Sequence, residues 1–263
     1  MKSSEKYFRR FLKIAPLSVS VWRSVEARHL ATVKLPHPIL DIGCGFGEFA
    51  QAFFDSKVDV GIDIAPKDIE VAKQGGKYKK LVLGDARKMP FKNASFASVF
   101  SISTLEHITN PKKVINETFR VLKKNGIFVA TIETDEVDRH TFYRGSLEKI
   151  GLKSLSKFLL QRYNHLFHRN VIMDKQAWIR YFKQAGFSIE RSEDIISPAI
   201  VKLYDFFMIT AWLSQIFRPF LGKRVVYRPK IVSNILTKIF LPFIEKKETI
   251  GTNLLIVARK PKK

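Results

Sequence analysis

The chain has 263 residues, 46% hydrophobic and 27% charged, enough to bury a sizeable core and too apolar for a disordered segment. With 46 Lys+Arg against 24 Asp+Glu it carries a net charge of +22, so its surface favours anions: nucleic acid, anionic lipid or an acidic substrate. A single cysteine, Cys44, excludes an intramolecular disulfide and a cysteine-based metal cluster, and its isolation is read as a reduced, cytoplasmic setting.

The basic N-terminus, MKSSEKYFRRFLKIAPLSVSVW, is broken by charges and by Pro16, so no signal peptide is expected. A helix over PLSVSVWRSVEARHLA then leads to a first strand in PILDIG. Glycines follow at 43, 45 and 47, and repeated glycine after a strand marks a tight turn or the close approach of a ligand. GEFAQAFFDS has helical spacing, VDVGIDIA reads as a second strand ending in Asp63, and PKDIEVAKQGG reads as a helix opened by proline and stopped at Gly75–Gly76. KKLVLGDA is a third strand ending near Asp85, and SFASVFSIS is a fourth. NPKKVINETFRVLKKNG is expected to be one helix from Pro111 to Gly126, followed by a fifth strand, IFVATIE. This alternation predicts an α/β protein with a parallel sheet covered on both faces.

Beyond residue 140, SLSKFLLQRYNHLFHRN and DKQAWIRYFKQAG look helical and FSIERSE looks like a strand. Residues 195–250 interrupt the alternation before a last strand, NLLIVAR. Five regions follow: a helical lead-in (1–35), a core (36–135), a helical lid region with strand six (136–194), an apolar and basic helical insertion (195–250), and the final strand with a basic tail (251–263).

Ligands of an open parallel sheet bind outside the carboxyl ends of its strands. Asp41, the glycine loop, Asp63, Asp85 and the segment from Ser101 to His107 all fall there. Acids after three successive strands suit a ligand carrying a cation, a ribose diol and an adenine amine. A dinucleotide fits less well, because its fingerprint is G-x-G-x-x-G and its pyrophosphate needs a helix N-terminus free of anions. Here the spacing is G-x-G-x-G, with Asp41 just before the loop and Glu48 directly after it.

LDIGCGFGEFA, GIDIA, GDARKMPF, SISTLEHI and RVLKKNGIFVA, in this order, resemble a class I S-adenosylmethionine-dependent methyltransferase of the type 11 group, over residues 20–135. The resemblance implies a Rossmann-like, doubly wound seven-stranded sheet, mostly parallel, whose last strand is antiparallel. It also implies S-adenosylmethionine as cofactor. By the same resemblance, Asp41 and the backbone of Gly43, Cys44, Gly45 and Gly47 lie against the methionine and ribose. Asp63, with Ile64 beside it, takes the ribose hydroxyls, Asp85 with Ala86 faces the adenine, and Ser101 to Ser103 lie near the transferable methyl.

A sulfonium methyl is already activated, so the protein has mainly to align it with the acceptor. Where the acceptor must lose a proton, His107 is the candidate base, since an ordinary histidine pKa of about 6.5 lies near working pH. The duller role for His107 is to structure the turn after strand four. Some relatives place Glu-x-x-Glu-His there and bind a divalent metal; this chain has Ser103 where the first glutamate would stand. Glu106, His107 and either His165 or His168 are the groups left for such a site, and no metal is expected. As a lid, SLSKFLLQRYNHLFHRN would present Tyr163, His165 or His168 to the acceptor; a solvated basic face is its duller role. Cys44 is read as filling space in the loop, and with no second cysteine, cytosine-C5 methylation through a thiol adduct is excluded.

AIVKLYDFFMITAWLSQIFRPFL is rich in aromatics, but its uncharged run, 206–217, is too short to cross a bilayer. GKRVVYRPK adds four cations. In IVSNILTKIFLPFI, apolar residues at 231, 232, 235, 236, 239 and 240 share one helical face, opposite Ser233, Asn234, Thr237 and Lys238. Apolar helices with basic ends predict an element lying on an anionic membrane surface; a lid over the substrate cavity and a dimer contact are the alternatives. Nucleic acid fits poorly, since no RNA-binding motif accompanies the cations. The expected enzyme methylates a hydrophobic or lipid-linked acceptor, peripherally on the inner face of the membrane. The alternative is a soluble small-molecule O- or N-methyltransferase whose insertion is a substrate lid. No oligomeric state follows from the sequence.

Overall fold

The computed structural model describes residues 3–166, 168–216, 228–246 and 250–262. The chain divides into two compact units, one of 33–136, 162–194 and 253–263, the other of 1–32, 137–161 and 195–252.

The first is a sheet unit. Its strands are β1 (Ile39–Ile42), β2 (Val58–Asp63), β3 (Tyr78–Leu83), β4 (Phe96–Ile102), β5 (Leu122–Glu133), β6 (Ser188–Ile195) and β7 (Asn253–Arg259), in the order β3-β2-β1-β4-β5-β7-β6. From β3 across to β5 the pairing is parallel; β7 runs antiparallel to β5, from Ile127 opposite Arg259 to Glu133 opposite Asn253. The expected seven-stranded sheet, mostly parallel with a reversed last strand, is therefore present. All four residues of β1 are buried, as expected for a central strand covered on both faces.

Helices α3 (Glu48–Phe53), α4 (Pro66–Gly75), α5 (Pro111–Val121) and α9 (Lys175–Gln184) belong to this unit. Pro66 opens α4, where its missing N–H has no intrahelical partner to lose, and Gly76 ends it in the left-handed region. The Asp174 carboxylate caps α9 by accepting from the Ala177 N–H at 2.7 Å. Trp178 and Phe182 of α9 are fully buried, the Phe182 ring stacked on Phe128 of β5. Side chains of this kind each contribute about 1.5–3 kcal/mol on burial.

The helix expected to run to Gly126 stops at Val121. Leu122, fully buried, turns back to pair with Phe96. Asn125 takes a left-handed backbone, and a Cβ at Gly126 would lie 2.8 Å from the Lys123 carbonyl, so LKKNG belongs to an irregular start of β5. At the opposite ends of the strands, Asp59 joins three of them. It accepts from the Ile39 N–H at 2.8 Å and the Lys79 ammonium at 2.7 Å, and it pairs with His37.

The second unit is helical. It holds α1 (Ser3–Phe11), α2 (Leu17–Leu30), α6 (Glu136–His140), α7 (Phe142–Lys149), α10 (Pro198–Ile216) and α11 (Lys230–Glu245), with most of α8 (Lys153–Leu166). The helical lead-in expected over 1–35 consists of two helices, and in the first, α1, Tyr7, Phe8 and Phe11 lie buried. The α2 helix packs against α1, α10 and α11. Phe240 of α11 sits between the rings of Phe8 and Phe207, at 6.4 and 5.6 Å. Arg28 donates to the Glu245 carbonyl at 2.9 Å, and Arg228 donates to the carbonyls of Leu12 and Ala15. The lead-in and the insertion, expected as separate regions, thus form one unit, and the region expected over 136–194 is divided after residue 161.

Helix α11 turns over part of its expected face. Thr237, Phe240 and Ile244 are buried, while Ile231, Val232, Ile235 and Ile239 are exposed. Thr237 tolerates burial because its hydroxyl donates to the Ser233 carbonyl at 2.7 Å. The cations expected at Arg218, Lys223 and Arg224 lie outside the described residues. Among the described residues, no helix is long and apolar enough to cross a membrane.

Candidate active site

Within the sheet unit, a cleft of about 690 Å³ opens at the carboxyl ends of β1, β2 and β4 and beside the turn after β3. Gly43, Asp63, Ile64, Asp85, Ala86, Ser103 and His107 line it, all positions singled out from the sequence. Phe46, Asp68, Arg87, Thr109, His168 and Asn170 line it too.

Gly43 sits at φ +71°, and a Cβ there would lie 2.1 Å from Thr104 Cγ2, so only glycine lets the loop pass this close to the end of β4. The next turn is fixed by Asp63. Its Oδ2 accepts from the Gly45 N–H at 2.8 Å and its Oδ1 from the Ala65 N–H at 2.9 Å. Asp63 also lines the cleft, and each of its oxygens keeps a lone pair for a further donor. Ile64, next to it, is 64% exposed, an uncovered apolar side chain on the cleft wall.

Asp85 lines the cleft with both oxygens engaged by Arg87, whose guanidinium also donates to Thr109 Oγ1 at 2.9 Å. The hydrogen bonds from Arg87 hold the Asp85 carboxyl below its ordinary pKa. An adenine amine would therefore share a carboxylate already in use. Ser103 adopts a left-handed backbone, φ +42°, held by its N–H donating to the Thr131 carbonyl at 2.9 Å. Strained backbone of this kind persists where the surroundings over-determine it and clusters at functional sites.

The His107 ring is half-buried at the end of a short 3₁₀ turn, with Nδ1 3.2 Å from the His168 carbonyl. A carbonyl only accepts, so this contact selects the Nδ1–H tautomer and leaves the imidazole lone pair on Nε2. Asn170 donates to the His107 carbonyl at 2.6 Å. Between these two residues lies Arg169, a buried cation ion-paired with Glu133 at 2.9 Å and donating to the Thr134 carbonyl. That anchor seats the 168–170 segment beside the cleft. Sequence reasoning considered His168 as a metal ligand or a lid residue and passed over Asn170; no local motif marks a residue brought in from so far along the chain.

Other expected residues stand behind the wall. Asp41 is buried, its Oδ2 accepting from the Tyr78 hydroxyl at 2.7 Å. Burial, and then the Asp41 charge, raise the Tyr78 hydroxyl well above its ordinary pKa, so it remains a donor. The Tyr78 ring fills the space over Gly47 and Gly61, where Cβ atoms would approach it to 3.1 and 2.8 Å. Ser101 is fully buried and donates to the Ile42 carbonyl at 3.0 Å, tying β4 to β1, and so does not reach the cleft. Cys44 is buried, and burial pushes its thiol up, with Asp41 and Asp63 adding to the shift; it is an unreactive protonated thiol. Gly45 and Gly47 shape the loop without forming the wall. Among the described residues, no three His, Cys, Asp or Glu side chains are grouped to hold a metal ion.

The donor set fits a cationic nucleoside. Asp63 and Asp68 line the opening together with the Asp85–Arg87 pair, apolar Ile64, Ala86 and Ile108 line it too, and the volume lies in the range of small-molecule sites.

A family model described as a methyltransferase domain matches residues 40–130. The uncharacterized methyltransferase YcgJ of Bacillus subtilis is 30% identical over 186 residues, 64% of this chain and 72% of that protein. The sterol 4-C-methyltransferase strm-1 of Caenorhabditis elegans is 37% identical over 110 residues, 38% of this chain; the match spans only 33% of that relative's length. A solved S-adenosylmethionine-dependent methyltransferase of Thermotoga maritima shares the fold, with a TM-score of 0.57 at 17% identity over 93% of this chain and 91% of that one. Sequence likeness over most of a whole relative, joined to this strand order, establishes that the chain belongs to the class I S-adenosylmethionine-dependent methyltransferases.

Proposed function

We propose that the cleft of the sheet unit holds S-adenosylmethionine with its ribose on Asp63, and that the enzyme methylates a hydrophobic or lipid-linked acceptor at a membrane surface. The Asp63 carboxylate carries the first part: two backbone amides fix it, and its remaining lone pairs can accept both hydroxyls of a vicinal diol. When bound, the cofactor supplies a methyl carbon on positively charged sulfur, open to attack without further activation. The chain's own residues then have to position and shield. Gly43 lets the backbone approach closely, Ala86 and Ile108 offer apolar contact to the adenine, and the acidic Asp63 and Asp68 favour a cationic ligand electrostatically. Orientation of this kind is worth on the order of 7–11 kcal/mol of a barrier.

Two observations support the acceptor class: the likeness to a sterol methyltransferase over part of the chain, and the large exposed apolar side chains of α8 and α11. A soluble small-molecule O–H or N–H acceptor is the second reading, favoured by the place of His107 on the cleft wall, where its imidazole would take the acceptor's proton. Incubation with methyl-labelled cofactor and a membrane extract separates the two. Label in the organic phase is expected; label confined to water-soluble small molecules would overturn the lipid acceptor.

A further inference from the structure

Helix α11 is amphipathic in an unusual sense. Its inward side is secured by Phe240 and Ile244, both buried, by the Phe8 and Phe207 rings, and by Arg28 on its last carbonyl. Packing on that side holds the helix in place. Its outward side carries Ile231, Ile235 and Ile239 at successive four-residue steps, 73%, 52% and 51% exposed, with Val232 and Phe243 beside them. Four-residue steps put these side chains in one row along the helix. A row of large aliphatic side chains facing water is costly unless something covers it.

Charge decides what covers it. Lys230, Lys238 and Lys246, all exposed, run along the same helix from its first residue to just past its end. The helical unit as a whole has 21 Lys+Arg against 7 Asp+Glu, net +14. A second copy seated on the row by a twofold axis would bring each unit's cations against their own counterparts. An anionic bilayer meets both features together: the aliphatic row enters the acyl boundary, and the ammonium groups stay among the headgroups.

We propose that α11 lies in the surface of a membrane containing anionic phospholipid, with Ile231, Ile235 and Ile239 inserted and Lys230, Lys238 and Lys246 on the headgroup phosphates. This deepens, and rests on, the reading of a membrane-surface acceptor. Docking orients the whole protein without any covalent step.

The test is flotation of the full chain with vesicles of phosphatidylcholine, with and without phosphatidylglycerol. Binding is expected only with phosphatidylglycerol, and it should weaken as salt is raised. The double variant Ile235→Ser/Ile239→Ser should bind about tenfold more weakly or worse, with thermal unfolding and S-adenosylmethionine binding unchanged. Lys238→Glu, a second variant that leaves the row intact, should also weaken binding. Failure of the parent chain to float, or equal flotation of the double variant, overturns the proposal. So does a dimer in sedimentation equilibrium that the double variant dissolves while vesicles bind neither. Docking and acceptor class are read separately. Methyl transfer to lipid in detergent micelles without vesicle binding would refute docking and leave the acceptor reading standing; vesicle binding without lipid methylation would do the reverse.

Discussion

The sheet unit carries 25 Lys+Arg against 17 Asp+Glu, net +8, and the helical unit, though shorter, carries net +14. Yet three of the sheet unit's carboxylates, Asp63, Asp68 and Asp85, converge on one cleft. In the helical unit, buried Asp205 accepts from the Phe142 N–H at 2.9 Å, and Glu5 pairs with Arg9. Net charge therefore says little about what a site binds. A basic protein can present a cation-seeking cleft on one unit and an anion-seeking surface on the other, because fields are set by local arrangement at distances near the Debye length of about 8–10 Å.

Substitutions test whether each unit does its own task. The largest effect is expected at Phe240→Ala, which empties the space between Phe8 and Phe207 and should cost about 3–5 kcal/mol in chemical unfolding. Gly43→Ala comes next. A methyl group driven to 2.1 Å from Thr104, on a left-handed backbone, should cost about 2–3 kcal/mol and abolish detectable cofactor binding in calorimetry. If Gly43→Ala bound cofactor normally, the close-approach role of the loop would be wrong.

A smaller, pH-dependent effect belongs to Asp59. Burial works against its charge, but the Lys79 ammonium, the Ile39 N–H and His37 outweigh it and lower its pKa from an ordinary 3.8 to about 2. A depressed carboxyl stabilises the fold above its unfolded-state pKa, and that stability is lost as pH falls from about 4 toward 2. With Lys79 and His37 well exposed, screening limits the contribution to about 1 kcal/mol. Thermal unfolding of Asp59→Asn should show the deficit at pH 6 and lose it at pH 2. Smallest of all, Ile235→Ser should shift stability by less than about 0.5 kcal/mol, because about half of its side chain faces water and little packing is lost. A large loss at Ile235 would mean that α11 packs on the side described here as outward.

The contrast between the units also separates what the sequence makes legible. In the sheet unit, each strand, its terminal acid and the turn after it are neighbours in the chain, so a short stretch such as GIDIA carries its whole meaning locally. The orientation of a side chain within a strand is less local. Asp41 and Ser101 stand in the expected motifs but point into hydrogen bonds with Tyr78 and Ile42 behind the cleft wall, since a strand shows successive side chains to opposite faces. In the helical unit, the determinants are distant. Tyr7, Phe8 and Phe11 have helical spacing, but the charges between them obscured it, and the ring that Phe8 meets, Phe240, lies more than 200 residues away in α11. The face that α11 buries followed from those partners, because an aliphatic row and an aromatic one look equally apolar until a neighbour is known.

The central claim is that Asp63 holds the ribose of S-adenosylmethionine. Titration of that cofactor into the parent chain and into Asp63→Asn, followed by calorimetry, tests it most directly. Replacing a charged acceptor by an amide should weaken binding by about tenfold to a hundredfold, roughly 1.5–3 kcal/mol. Equal affinity of the two proteins, with Asp63→Asn fully folded, would contradict it.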